Sequence, residues 1–119
     1  MESKFNVGKQ TRKEVLGQEH LDKVEKGISD LDASFQKFIT EYAWGSVWAG
    51  SELSKRERSL LTLAILASQG SFEELKLHIK ACKNTKTSPE EMIEAMMHVA
   101  IYAGLPKANT AIRLIKEII

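Results

Sequence analysis

Apolar residues recur along most of the chain at the 3.6-residue period of a helix. Nowhere do they alternate with polar ones for long enough to make a strand. Between roughly Lys9 and Lys26, Val15, Leu16, Leu21 and Val24 lie among many charges, which predicts a surface helix with one moderately apolar side. From roughly Leu31 to Trp48, Phe35, Phe38, Ile39 and Tyr42 fall at helical spacing, and Trp44 and Trp48 follow four apart. So wide an aromatic face has to be covered by something.

Three later helices announce their starts alike. Ser54 precedes Glu57, Ser71 precedes Glu74 and Ser88 precedes Glu91, each a Ser-x-x-Glu capping box in which the hydroxyl takes an orphan N–H and the carboxylate reaches back to another. Pro89 strengthens the third, because a first helical residue has no use for its missing N–H. After Ser54 the run Leu60 to Ala67 is apolar nearly all round and reads as the buried central helix. The helix after Ser88 turns Met92, Ile93, Met96, Val99 and Ala100 inward and ends near Gly104. A last helix from about Pro106 carries Ala111, Ile112, Leu114, Ile115 and Ile118. The pattern is all-α, with about six helices and short connections.

Composition narrows the function classes. At 119 residues the chain suits one domain, residues 1–119, able to bury a core without staples. Lys plus Arg is 17 and Asp plus Glu is 16, a balance with no electrostatic footprint for nucleic acid. No apolar run is long enough to suggest a membrane span, and the polar stretch from Met1 to Lys13 has no signal-peptide core. With one cysteine, Cys82, the chain makes no intrachain disulfide, and a cytoplasmic home is expected. Trp44, Trp48, Met96, Met97, Ile118 and Ile119 are more apolar surface than a small monomer should hide, so a homo-oligomer is expected.

Candidate chemistry is sparse. His20, His78 and His98 show no metal-site pairing, and no metal is expected. Cys82 falls at the spacing of Phe72, Leu75 and Ile79 and reads as a buried structural thiol. No phosphate loop or serine-nucleophile motif occurs. What remains is a polar stripe, Ser71, Glu74 and His78, beside the apolar face of one helix. His78 has the intrinsic pKa for proton transfer, and Glu74 could orient it. Spacing alone favours the plainer assignment: a capping box and a surface Glu–His pair. Arg58 stands in the first turn of the apolar helix, where its charge opposes the dipole. It is placed either to bind a carboxylate or to pair with a nearby glutamate.

Longer strings carry a resemblance. Tyr42-Ala43-Trp44-Gly45, Arg56 to Ala64, Glu73 to His78 and Ala100 to Asn109 resemble the core of the carboxymuconolactone decarboxylase family, and Arg12 to Gly17 with His20 and Asp22 is similar to its N-terminal segment. The wider alkylhydroperoxidase D-like superfamily resembles the chain in helix order, which implies that helical fold and a trimer or hexamer. Its redox members use a Cys-x-x-Cys pair, a glutamate and a histidine. Aligned on His78, those cysteine positions hold Ser71 and Glu74 and the glutamate position holds Ser59, so peroxide reduction by thiols is not expected. The decarboxylase branch implies loss of CO2, without a cofactor, from 4-carboxymuconolactone or a related carboxylated lactone, giving 3-oxoadipate enol-lactone in aromatic degradation by the β-ketoadipate route. It also implies roles: Arg58 anchors a carboxylate, His78 is the general acid or the dienolate stabiliser and Glu74 orients it, while His20, Trp44 and Ser71 contact substrate. Two alternatives stay open: a family member without the redox cysteines that acts on another small acid, and a non-catalytic oligomeric binding protein.

Overall fold

A computed structural model describes residues 2–119. These residues form seven α-helices and one π-helical segment, with no strand among them. They fall into two compact units, one ending at Ser54 and one from Lys55 to Ile119. The all-helical expectation holds. Two of the expected helices divide.

In the N-terminal unit the first predicted segment is two helices, α1 (Lys4–Leu16) and α2 (Gln18–Gly27). Ser3 caps α1 by accepting the Asn6 N–H at 3.1 Å. The break falls at Gly17, whose φ of 91° suits glycine and ends the helical path. The pattern predicts one helix through this point, but Val15 and Leu16 end α1 and Leu21 and Val24 belong to α2. The second segment is α3 (Ala33–Ile39) running directly into a π-helix (Thr40–Val47). There the Trp48 N–H donates to the Ala43 carbonyl five residues back, at 2.9 Å.

The π-helix packs on α1 with almost nothing between the backbones. A Cβ on Gly8 would overlap the Thr40 carbonyl, and one on Gly45 would overlap the Lys4 carbonyl. Glycine at both positions is what permits the approach. Trp44 and Trp48 are both buried and stack with ring centroids 5.2 Å apart. Of the apolar set judged too large for a small monomer to hide, these two are covered while Met97 and Ile119 are exposed. Gly8 and Gly45 bring α1 against the π-helix, closer than residues with side chains would allow. Phe35, Phe38 and Tyr42 remain exposed.

The C-terminal unit contains α4 (Lys55–Gln69), α5 (Phe72–Thr85), α6 (Pro89–Tyr102) and α7 (Leu105–Ile118). Its core joins Leu63 and Ala67 of α4, Leu75, Ile79 and Cys82 of α5, Met92, Met96 and Val99 of α6, and Ala108, Ala111, Leu114 and Ile115 of α7. Met96 is fully buried, as its place on the apolar face predicts, because α6 packs on both α4 and α7. A correction concerns α4. Leu61 and Ile65 are about half exposed, since the other three helices cover only the face bearing Ser59, Leu63 and Ala67. Within this core, Ser59 and Thr85 share a hydroxyl hydrogen bond of 2.7 Å, and Thr85 and Thr87 one of 2.9 Å.

Of the expected capping boxes, the one at Ser88 is complete. Its hydroxyl accepts the Glu91 N–H at 3.1 Å and the Glu91 carboxylate accepts the Ser88 N–H at 2.9 Å. Arg56 ion-pairs with the same carboxylate. These partners, the Ser88 N–H foremost, hold Glu91 below the usual carboxylate range. The box expected at Ser71 does not form. Ser88 has the extended ψ of 155° that aims a cap at the helix, whereas Ser71 has ψ 68° and donates only a long bond, 3.4 Å, to the Gln69 side-chain carbonyl.

Candidate active site

Four of the six expected site residues belong to the C-terminal unit. Arg58 lies one turn into α4, Ser71 directly precedes α5, and Glu74 and His78 are one turn apart on α5, which packs against α4. Arg58 is half-buried, makes no ion pair among the described residues, and its Nε is buried without a hydrogen-bond partner. The arginine of this turn that pairs with a glutamate is Arg56, with Glu91. A guanidinium with N–H groups to spare is equipped to take a carboxylate. Ser71, not used as a cap, has its hydroxyl available. Glu74 is exposed and His78 half-buried.

Cys82 is one turn beyond His78 and fully buried, and its thiol donates to the His78 carbonyl at 3.3 Å. Burial pushes that thiol up to about 11, so at neutral pH it is neither a nucleophile nor a redox thiolate. His98 is exposed, with its ring stacked on Tyr102 at 6.3 Å. Among the described residues no three His, Cys, Asp or Glu side chains gather as metal ligands. Nor is any helix long and apolar enough to cross a membrane.

His20 and Trp44 belong to the N-terminal unit, and there both are neighbours in effect of a residue that sequence reasoning did not single out, Arg12. The Arg12 guanidinium lies 5.9 Å from the Trp44 ring. His20 is held below its ordinary value of 6.5, first by burial and then by the charges of Arg12 and Lys23. Arg12 itself is only 9% exposed. Its signal was present in the sequence: it sits on the face of α1 that also carries Gly8, Thr11 and Val15, an arginine where an apolar residue is the rule.

The sequence pattern of the carboxymuconolactone decarboxylase family matches residues 33–117. The chain belongs to that family. It is 37% identical over 117 residues to the 4-carboxymuconolactone decarboxylase of Acinetobacter baylyi, an alignment covering 98% of this chain and 87% of that protein. It is 36% identical over 107 residues to the nitrosuccinic acid decarboxylase of Metarhizium robertsii, covering 90% and 75% respectively. Membership makes the chain a carboxy-lyase, and its two relatives are named for different acids. The family match begins at α3, so α1 and α2 lie outside it, while both pairwise likenesses extend further along the chain.

Proposed function

We propose that this protein decarboxylates 4-carboxymuconolactone or a closely related carboxylated lactone, using no cofactor. The observation that supports the proposal, beyond kinship, is Arg58: a guanidinium with a buried, unsatisfied Nε and no ion-pair partner, on a helix packed against the one that carries His78. In the reaction, the bond between the ring carbon and its carboxylate breaks and CO2 leaves. The electron pair moves onto the conjugated lactone carbonyl, giving a dienolate, and a proton is then added to carbon. The protein has to hold the carboxylate, stabilise the dienolate and supply that proton. Arg58 does the first and His78 the last. Glu74 orients His78 and Ser71 offers a hydroxyl.

A second substrate class is favoured by the nitrosuccinic acid relative. A nitro group beside a departing carboxylate accepts the electron pair as the lactone carbonyl does, so the same anchor and proton donor would serve. The proposal includes a homo-oligomer, trimer or hexamer. Leu61 and Ile65 of α4, Met97 and Ile101 of α6, and Tyr102 and Leu105 at the α6–α7 junction are exposed large apolar side chains, of the kind that subunits cover. Sedimentation of the purified protein as a monomer would remove that part.

The deciding experiment follows 4-carboxymuconolactone spectrophotometrically with wild type, His78→Ala and Arg58→Ala, and repeats the assay with nitrosuccinate. Loss of general-acid catalysis should cost His78→Ala about 100-fold or more in kcat. Arg58→Ala should act chiefly on KM. Folded wild type that turns over neither acid would sink the proposal.

A further inference from the structure

The N-terminal unit contains a half-open pocket of about 290 Å³ between α1, α2, α3 and the first residue of the π-helix. Its walls are largely hydrocarbon, from Phe5, Leu21, Val24, Ile28 and Ala33. Three cationic side chains line it, and two already have partners: Lys9 pairs with Glu25 at 3.6 Å and Lys37 with Glu41 at 3.3 Å. Arg12, the third, has no carboxylate partner among the described residues. Its Nη1 donates one long bond, 3.3 Å, to the Gln36 side-chain carbonyl, and its Nε has no hydrogen-bond partner.

This arrangement is costly as it stands. A guanidinium carries five N–H donors in a rigid fork. Taking it out of water without an anion is strongly unfavourable, and burial accordingly lowers the pKa of Arg12. The Trp44 ring at 5.9 Å recovers only part of the loss. The neighbouring groups add to the unbalanced charge, because Lys23 lies close enough to act on the same His20. A carboxylate would supply two acceptor oxygens in the geometry of the fork, and the hydrocarbon walls would cover an apolar body attached to it.

We propose that this pocket binds a small carboxylic acid, with the Arg12 guanidinium taking the carboxylate and Phe5, Leu21, Val24 and Ile28 covering the rest. The site rests on the N-terminal unit alone and does not require the decarboxylation proposed above, so a binding measurement tests it separately from turnover.

Hexanoate is a suitable probe, with hexan-1-ol as the uncharged equivalent. Trp44 and Trp48, the two tryptophans of the chain, report on Arg12 by fluorescence, and calorimetry gives an independent isotherm. Hexanoate should bind wild type saturably with a Kd on the order of 1 mM, as a few apolar carbons and one charged contact allow. Arg12→Met, which keeps the length of the stem, should weaken hexanoate about ten-fold or more without lowering the urea midpoint, since it removes an unpaired buried charge. Val24→Phe should block binding by filling the pocket while leaving Arg12 in place. The proposal is overturned if hexanoate shows no saturable binding to wild type, if hexan-1-ol binds equally well, or if folded Val24→Phe binds hexanoate as wild type does. Undiminished binding by Arg12→Met would overturn it equally.

Discussion

The two units reach stability by different routes. The C-terminal unit buries a continuous set of Leu, Ile, Met, Val and Ala side chains contributed by four helices. The N-terminal unit has polar helices, two glycines that let backbones touch, a stacked tryptophan pair and an arginine where hydrocarbon is the rule. The first arrangement spreads its stability over many interchangeable apolar contacts. The second concentrates it at a few close contacts, above all those at Gly8 and Gly45, where no side chain fits. That difference also separates the candidate chemistry: Arg58 and His78 stand at the edge of a conventional core, whereas Arg12 is built into the packing itself.

The comparison can be broken most forcefully by mutation. Leu63→Ala, in the centre of the C-terminal core, should cost about 2–5 kcal/mol in urea unfolding followed by circular dichroism. Gly8→Ala adds only a methyl group, yet it should cost about 1–3 kcal/mol, because the overlapped atom is a backbone carbonyl that cannot turn aside. Its effect should appear in tryptophan fluorescence, since both tryptophans are in that unit. A neutral Gly8→Ala would mean that the close approach is not essential. The two serines give a finer contrast: Ser88→Ala should cost about 1 kcal/mol, and Ser71→Ala no more than about 0.5 kcal/mol, since only Ser88 caps its helix.

The smallest effect is one of pH. His20 is held below 6.5 in the folded chain, so the unfolded chain binds the additional proton. Stability should therefore fall as pH drops below that ordinary value, and go on falling until the folded histidine is itself protonated. His20→Gln should flatten this part of the profile in fluorescence-monitored unfolding. A profile that is equally steep in the variant would assign the slope to other groups.

Much of this was legible in advance. The apolar faces of α6 and α7, the Ser88 box and the inert Cys82 follow from spacing, because each depends on residues within one or two turns of each other. The Ser71 box shows where such reasoning ends. Its residues match those of the Ser88 box, but the backbone at Ser71 takes another ψ and the hydroxyl never meets the helix. The break at Gly17 likewise depends on backbone conformation, a φ of 91° that a single glycine within a helical stretch permits but does not announce.

Local sequence determined that this chain is helical, where most of its helices lie and which strings place it among the decarboxylases, since period, caps and motifs are short-range properties. Tertiary structure alone decided that Trp44 and Trp48 are covered while Phe35, Phe38 and Tyr42 are not, that Leu61 and Ile65 are exposed, and that Arg12 lines a pocket with no ion-pair partner among the described residues. Burial and charge pairing depend on which distant elements come together, and no window along the chain contains that information.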